Sequence, residues 1–470
     1  MRKNTESNEV TVKGGKTGHK IRQKSETPSL RLLQRKETKT IMSQMSTPIA
    51  SRRASRLSEG SSPRALDYQI SYAGKKPLDE ILVGPKSDPQ KAFSVTRLTG
   101  SWRNRLYYGD NLGILRTLKQ DSEICEKVKL IYIDPPFATG SLFESRNGNR
   151  AYDDVASGAA YIEFLRERLI LLRELMHSEG SIYVHLDAKM AYPIKIVMDE
   201  IFGPSNFRNF ITRKKSNRKN YTRKQYGNIS DYILFYTKSD LYTWHRPHEP
   251  WTEDSAVEYS YTEPGSGRRF MKVPIHAPGI RNGETGGLWR GMMPPPGKHW
   301  QYTPAKLDEM DARGEIYWSP NGNPRRKIYL DESKGIPIQD IWLDCRDAHN
   351  QNIEITGYPT EKPIEMLRRI TSASSSVGDL VLDCFLGSGT TIVAAEEANR
   401  KWIGIDSSLE AITTTVTRLA KGSEPMGDYV RAKKKERSLL SELGHLRSAF
   451  DLHVDHMLPA SLVNQWKDLF

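Results

Sequence analysis

Two short segments of this sequence combine residue types that could do chemistry. Residues 383–391 (DCFLGSGTT) follow an apolar run and include Gly387 and Gly389. Glycine permits a positive φ and a close approach of backbone to a ligand, and nucleotide-like ligands bind at strand ends of open α/β sheets. Asp406 follows 19 residues after Gly387, where its carboxylate could accept hydrogen bonds from ribose hydroxyls. The glycine turn alone could be purely structural, but together these residues predict a nucleoside-cofactor site. A dinucleotide site usually has a third glycine, whereas this turn continues with Thr390 and Thr391, which favours an adenosyl cofactor.

The second segment, residues 133–137 (IDPPF), brings a carboxylate, two prolines and an aromatic ring to the end of another apolar run. An exocyclic amino group on an aromatic ring is a poor nucleophile because its lone pair is delocalised. Asp134 and the Pro135 carbonyl could accept its two N–H bonds and turn the lone pair towards a methyl donor. Pro135 and Pro136 would hold these acceptors rigidly, and Phe137 offers a face for base stacking. An isolated DPP is more simply a rigid turn, but its pairing with the glycine turn favours amino-group methylation.

Both segments lie in an alternation of predicted strands and helices. Short apolar runs that suit a buried sheet predict strands at residues 128–133, 181–186, 231–236, 379–384 and 402–406. Helical spacing predicts helices at residues 161–176, 363–373 and 390–399. This alternation predicts an α/β fold with a doubly wound, mostly parallel sheet and one antiparallel edge hairpin. The sheet would be assembled from about residues 95–245 and 350–422.

Three regions lie outside this alternation. Residues 1–60 contain 14 Lys and Arg against 5 acidic residues, which predicts a basic disordered tail over residues 1–65. Residues 246–349 are rich in Pro, Gly and Trp and are interpreted as an irregular insertion. Residues 423–470 are charged and are predicted to form a helical extension.

Composition narrows the class of protein. The net charge of +13 favours a polyanionic partner, although a basic tail and a solvated surface would also produce it. The three cysteines are far apart and none lies in a CxxC pair, which argues against a disulfide framework or structural zinc. We therefore expect no metal and a cytoplasmic location. No apolar run approaches the roughly 18 residues of a membrane span, and no secretory signal is expected.

The two motifs together resemble the DNA amino-methyltransferases that modify adenine N6 or cytosine N4. Their order, DPPF before FLGSG, is similar to the circularly permuted subgroup often called class β, which includes type III modification subunits and solitary adenine methyltransferases. The resemblance covers roughly residues 100–240 and 355–420. It implies a sheet of the S-adenosylmethionine-dependent methyltransferase type, S-adenosylmethionine as cofactor, and double-stranded DNA as partner. The target base would have to be flipped into the pocket.

The resemblance also assigns roles to individual residues. Asp110 and Asn111 would lie near the cofactor adenine, and Lys362 and Pro363 would belong to the segment that closes over its methionine part. An ordinary helix start is the alternative for Pro363. A plain core strand competes with a place near the site for Asp187. The expected cofactor residues are Asp110, Asn111, Lys362, Pro363, Asp383, Phe385, Gly387, Gly389, Thr390 and Asp406. The expected catalytic residues are Asp134, Pro135, Pro136 and Phe137, the last in place of the family's commoner Tyr.

A basic run follows the catalytic half. Residues 207–226 hold eight Lys and Arg and no acidic residue. Such a run is often only a solvated face, but the family uses this region to reach the duplex. We therefore expect phosphate contacts from Arg213, Lys214, Lys215, Arg218 and Lys219. The resemblance makes residues 246–349 the target-recognition insertion.

Several alternatives stay open at this point. Asp rather than Ser before the two prolines favours adenine N6, but cytosine N4 is the nearest alternative. A catalytically inactive DNA-binding subunit and an RNA substrate are the others. The resemblance is also compatible with a homodimer and with a restriction endonuclease as partner.

Overall fold

The computed structural model describes residues 68–96, 102–136, 142–144, 150–153, 158–217, 224–347, 354–356, 358, 361–422, 424–425 and 448–470. The predicted basic tail, Phe137, Arg218 and Lys219 lie outside these residues. Within the described ranges, no helix is long and apolar enough to cross a membrane.

Helices and strands alternate along much of the described chain. The helices are α1 (Leu78–Val83), α2 (Asn111–Leu118), α3 (Ala159–Leu175), α4 (Ala191–Phe202), α5 (Pro304–Ala312), α6 (Ile364–Ser374), α7 (Thr390–Glu397), α8 (Leu409–Lys421) and α9 (Ala460–Lys467). Short 3-10 helices span Pro204–Asn206, Ser255–Glu258, Glu284–Gly286 and Leu330–Glu332. The strands are β1 (Gln90–Val95), β2 (Asn104–Tyr108), β3 (Val128–Ile133), β4 (Leu142–Glu144), β5 (Arg150–Asp153), β6 (Met176–Leu186), β7 (Phe207–Lys214), β8 (Ser230–Thr237), β9 (His248–Glu249), β10 (Tyr261–Thr262), β11 (Arg269–Pro274), β12 (His276–Pro278), β13 (Lys298–Trp300), β14 (Ile316–Trp318), β15 (Pro324–Tyr329), β16 (Ile336–Pro337), β17 (Ile341–Trp342), β18 (Glu354–Ile355), β19 (Leu380–Asp383), β20 (Lys401–Asp406), β21 (Glu424–Pro425) and β22 (Phe450–Val454).

One large sheet organises the molecule. Its strand order is β1-β22-β2-β20-β19-β3-β6-β8-β7-β17. The central strands β2, β20, β19, β3 and β6 run parallel to one another, whereas β8 runs antiparallel to β6 and β7. The predicted fold class is therefore confirmed. Strand β19 lies directly beside β3, so the glycine turn and the DPPF segment leave the sheet at the same edge although they are far apart in sequence.

Apolar side chains alternate between the two faces of this sheet. Helices α2, α3 and α4 pack on one face against residues such as Ile131, Val184 and Leu382. Helices α6, α7, α8 and α9 pack on the other face against residues such as Leu130 and Val381. Because both faces are covered, the central strands are apolar almost throughout, which is why short apolar runs identified them.

The carboxyl-terminal region departs from its prediction. Helix α9 is present, but residues 450–454 form strand β22, which pairs parallel to β2 and antiparallel to β1. The prediction of a helical extension is therefore wrong for this segment. Phe450 and Leu452 are fully buried, while Asp451 accepts hydrogen bonds from Arg103 and Ser94. These distant partners stabilise a strand of five residues that has no strong local pattern.

The region 246–349 is more regular than predicted. Strands β10, β11, β15 and β14 form a separate four-stranded sheet. A small core that includes Trp289, Trp300 and Leu307 packs nearby. The last strand of the region, β17, returns to the large sheet and pairs parallel to β7. The end of this region therefore contacts the large sheet directly.

Candidate active site

A cavity of about 330 Å³ opens at the carboxyl ends of β3 and β19, a size that suits a small ligand. It brings together most of the residues that the sequence singles out: Asp110, Asn111, Asp134, Pro135, Pro136, Lys362, Asp383, Phe385, Gly387, Thr390 and Asp406. Pro363 and Gly389 are neighbours in sequence of lining residues but do not line the cavity themselves. Among the described residues, no group of three or more His, Cys, Asp or Glu side chains could hold a metal ion.

The glycine turn is shaped by backbone geometry that favours glycine. Gly387 and Gly389 have φ of +54° and +75°, in the left-handed region that other residues rarely adopt. A Cβ atom at Gly389 would also lie 2.7 Å from Thr415 Oγ1. Gly389 is the residue at which helix α7 begins. The turn therefore brings bare backbone to the cavity wall, as a nucleoside site requires.

Asp383 supports this turn from below. Its carboxylate accepts hydrogen bonds from the Phe385 N–H at 2.9 Å and from the Thr391 hydroxyl at 2.5 Å. Burial raises the pKa of Asp383 to about 7 despite these two donors. Asp383, at the end of the predicted strand, therefore also stabilises the glycine turn.

Asp406 connects the turn to the next strand. Its Oδ2 accepts the Gly387 N–H at 2.8 Å and its Oδ1 accepts the Ser408 N–H at 2.8 Å. Burial raises its pKa to about 6, although these backbone donors oppose that rise. An ionised carboxylate offers about four acceptor positions, so the carboxylate has capacity left for the ribose diol of an adenosyl group. The residues present therefore fit the predicted cofactor.

Asp110 and Asn111 are held by an arginine that the sequence did not single out. Arg168, which is buried, donates to Asp110 Oδ1 at 3.2 Å and to Asn111 Oδ1 at 2.5 Å. Asn111 also donates to the Cys384 carbonyl at 2.6 Å, which joins this corner to β19. The guanidinium carbon of Arg168 lies 3.6 Å from the centre of the Phe164 ring. Arg168 and Phe164 both line the cavity. The apolar spacing of α3 includes Phe164 and lies next to Arg168, and it was the one sequence signal near these two residues.

Asp134 follows β3 and faces the same cavity. Its Oδ2 forms an ion pair with Lys362 Nζ, so that Lys362 touches the expected catalytic carboxylate directly. Its Oδ1 is buried and, among the described residues, receives no hydrogen bond. His185 Nδ1 lies 4.0 Å from this oxygen. The carboxylate is therefore fixed through one oxygen and keeps the other available as an acceptor.

Lys362 belongs to a braced segment before α6. Glu361 accepts hydrogen bonds from the Thr356 N–H and hydroxyl at 2.8 and 2.7 Å, and its Oε1 lies 3.1 Å from an Arg418 nitrogen. Pro363 immediately precedes α6, which agrees with the helix-start interpretation. Glu361 lines the cavity but was not among the expected site residues, and its contact with Arg418 joins two distant parts of the chain.

Arg213 cannot play the role expected from the basic run, and its predicted phosphate contact is wrong. It is fully buried on β7, lies 3.0 Å from an Asp231 oxygen and also pairs with Asp347. The alternation of side chains along a strand places Ile211 and Arg213 on the buried side. Lys214 and Lys215 remain partly exposed at the end of β7.

Asp187 lies at the end of β6 but does not line the cavity. Its Oδ1 accepts the N–H groups of Lys189 and Met190 at 3.1 and 3.0 Å, just before α4. This contact gives Asp187 a local structural role.

Comparison with known proteins is consistent with this geometry. Residues 128–417 match the N6_N4_Mtase family, described as DNA methylase. The chain is 48% identical over 412 residues to the type II methyltransferase M.EcaI of Enterobacter cloacae, covering 85% of this chain and 90% of the relative. It is 27% identical over 378 residues to the StyLTI Mod subunit, a type III restriction-modification enzyme of Salmonella typhimurium. That match covers 71% of this chain and 55% of the subunit, so the chain spans about half of that relative.

Two solved structures are also similar to this chain. The M1.HpyAVI–SAM complex is 18% identical with a TM-score of 0.37, covering 67% of this chain and 98% of the other. The cytosine-N4-specific PvuII DNA methyltransferase is 15% identical with a TM-score of 0.38, covering 70% and 89%.

The fold and the cavity define a methyltransferase of the doubly wound type. The chain belongs to the N6/N4 DNA methylase family, on the match of residues 128–417 and on its relation to M.EcaI. The prediction of a DNA methyltransferase is confirmed, and the residues that line the cavity fit S-adenosylmethionine, the expected cofactor.

Proposed function

We propose that this chain methylates N6 of adenine at specific sites in duplex DNA, as the modification enzyme of a restriction-modification system. One observation carries the proposal: Asp134 and Pro135 face the same cavity as the glycine turn and Asp406. An acceptor for an amino group and a site for an adenosyl cofactor therefore share one space. A role in restriction-modification is supported by the relative named as the Mod subunit of a type III restriction-modification enzyme, StyLTI. The relative M.EcaI, named as a type II methyltransferase, supports the methyltransferase role.

Asp134 is arranged to hold an amino group. Its buried Oδ1 receives no hydrogen bond from the described residues, so it can accept one N–H while the Pro135 carbonyl accepts the other. S-adenosylmethionine, when bound, supplies an electrophilic methyl group. The two acceptors turn the amino lone pair towards that group, and these contacts are worth most as charge develops on the nitrogen. Direct transfer then needs no covalent enzyme intermediate.

Lys362 fixes the carboxylate for this task. Because it pairs with Oδ2, it leaves Oδ1 to the substrate and keeps the Asp134 side chain in one orientation. The ammonium and the target amino group can therefore contact the same carboxylate at the same time. Lys362→Met should lower kcat more than it raises KM for DNA, since it removes orientation and not a DNA contact.

The depth of the site implies base flipping. The Asp134 side chain is only 18% exposed, so a base stacked inside a duplex cannot reach it. The adenine must leave the stack, at a cost of a few kcal/mol. Stacking of that base on Phe137 stays a prediction.

Recognition of the sequence is assigned to residues 246–349. Much of this region folds apart from the large sheet, around a separate four-stranded sheet, and none of its described residues lines the cavity. Lys214 and Lys215, which are partly exposed, are proposed to contact phosphates, which position the duplex without reading it. A restriction endonuclease partner and a cytoplasmic location follow from the same proposal.

A methyl-transfer assay with labelled S-adenosylmethionine tests the proposal. Duplex DNA should accept label, whereas RNA of the same sequence should not. Asp134→Asn should lose at least 90% of turnover, about 1.4 kcal/mol of barrier, while still binding cofactor and DNA. Asp187→Asn is the matched control, because Asp187 also ends a strand but lies outside the cavity, and it should keep full turnover. Transfer by the wild type to RNA alone, or to nothing, would reject the proposal.

A further inference from the structure

A row of buried polar side chains crosses the sheet behind Asp134. It consists of Tyr132 on β3, His185 on β6, Asp231 on β8 and Arg213 on β7, and is called here the polar network. All four side chains are 2% exposed or less. The Tyr132 hydroxyl lies 2.8 Å from His185 Nδ1, and His185 Nε2 lies 3.0 Å from Asp231 Oδ2. Arg213 Nη1 donates to the same Asp231 oxygen at 3.0 Å.

The directions of these hydrogen bonds follow from the charges. His185 and Arg213 hold the pKa of Asp231 well below its usual value, although burial alone would raise it. Asp231 is therefore an ionised acceptor, and His185 Nε2 carries a proton towards it. Burial, reinforced by Asp134, raises the pKa of Tyr132 well above its usual value, so its hydroxyl keeps its proton and donates to His185 Nδ1. The direction of each hydrogen bond in the polar network therefore fixes the direction of the next one.

One end of the polar network lies at the reacting carboxylate. Tyr132 lines the cavity and lies on β3, two residues before Asp134, which follows that strand. His185 Nδ1 is 4.0 Å from Asp134 Oδ1, the oxygen assigned to the amino group. A shift of Tyr132 or His185 therefore changes the surroundings of that oxygen.

The other end lies at the last part of the region 246–349. Arg213 Nε donates to the Cys345 carbonyl at 2.5 Å, and its Nη2 pairs with Asp347. The Asp347 N–H donates in turn to the Lys215 carbonyl at 2.9 Å. Arg213 is thus held from both sides, by the sheet and by the segment that returns from the insertion.

Burying such a network costs free energy. Burying an arginine and a carboxylate costs several kcal/mol per ion before their attraction is counted, and apolar side chains of similar size are often as stable. Its neighbours in the sheet, such as Ile211 and Ile233, are apolar and buried. Stability alone is therefore a poor reason for this arrangement.

We propose that the polar network positions Asp134 and ties its position to the contact between residues 345–347 and the sheet. This inference rests on the catalytic role of Asp134 proposed above. Turnover would then depend on correct docking of the end of the insertion, where Cys345 and Asp347 contact Arg213. Arg213 would serve catalysis as a positioning residue and would make no contact with DNA.

Tyr132→Phe is the first test, because it removes one hydroxyl and keeps the ring. It should lower kcat about tenfold or more, while KM for DNA and the Kd for S-adenosylmethionine stay within twofold. Tyr183→Phe is the matched control: Tyr183 is buried on β6, and its hydroxyl contacts Ser374 Oγ at 2.7 Å, outside the polar network. It should keep kcat within twofold. Equal kcat for Tyr132→Phe and wild type would overturn the proposal.

Asp347→Asn tests the remote end, since Asp347 is partly exposed and the amide keeps an acceptor oxygen for Arg213. It should lower kcat about threefold to tenfold without changing the salt dependence of DNA binding. Combined with Tyr132→Phe, it should cost less than the product of the two single effects, because residues of one network do not act independently. Multiplicative effects, or wild-type kcat for Asp347→Asn, would contradict the coupling.

Two further outcomes separate this inference from the function on which it rests. If Asp134→Asn keeps turnover, the catalytic assignment itself fails. If Asp134→Asn is inactive while Tyr132→Phe and Asp347→Asn behave like wild type, only the polar network is wrong. Thermal unfolding of every variant shows whether a loss of turnover results from a loss of folded protein. For Tyr132→Phe, we expect an unfolding midpoint close to that of wild type.

Discussion

Asp406→Asn is expected to weaken S-adenosylmethionine binding by about 1–3 kcal/mol, the usual cost of leaving a buried polar group unpaired. The carboxylate already accepts the N–H groups of Gly387 and Ser408. An amide can keep one of these contacts, but its NH2 group turns a donor towards the other N–H and cannot accept from ribose. The Kd should therefore rise between about fivefold and 150-fold.

Isothermal titration calorimetry measures this change directly. An S-adenosylmethionine analogue that lacks the 2′-hydroxyl provides the second arm of the experiment. If Asp406 binds the ribose, the variant and the analogue should be non-additive, because each removes the same contact. Asp187→Asn, which lies outside the cavity, should bind the cofactor like wild type. Unchanged affinity of Asp406→Asn, or fully additive losses, would refute the ribose assignment.

Three further predictions follow from the same structure. Because the pKa of Asp406 is raised to about 6, its carboxylate is present above that pH and lost below it, so cofactor affinity measured by calorimetry should rise from pH 5 to pH 7. This rise should flatten in Asp406→Asn, and an unaltered profile would contradict it. Replacing Lys214 and Lys215 with Gln should lower the slope of log K against log salt by up to about two units, whereas Arg213→Met should leave that slope unchanged. Phe450→Ala should lower the free energy of unfolding by about 3–5 kcal/mol in chemical denaturation, and a negligible loss would show that β22 adds little to the core.

The central strands were predictable because their local pattern is strong. Residues 128–133 (VKLIYI) and 181–186 (SIYVHL) are apolar runs that can only be buried, and both lie in the middle of the sheet. Strand β22 was not predictable in this way. Its five residues depend on pairing with β1 and β2 and on the contact between Arg103 and Asp451, none of which a local pattern reveals.

The site residues also differ in how strong their local sequence pattern is. Asp134, Gly387 and Asp406 belong to compact motifs, so their residue types and spacing were sufficient to place them in one cavity. Arg168 was missed because its partners are far away in sequence. Arg213 was misassigned because the charge run hid the alternation of β7, and its buried carboxylate partners are contributed by β8 and by the end of the insertion.

Mass spectrometry of methylated DNA tests the central claim most directly. Duplex DNA is incubated with the enzyme and S-adenosylmethionine that carries a deuterated methyl group, then digested to nucleosides. We expect labelled N6-methyladenine with wild type and with Asp187→Asn, and none with Asp134→Asn. Labelled N4-methylcytosine without N6-methyladenine would contradict the assigned base, and equal product from Asp134→Asn would contradict the assigned site.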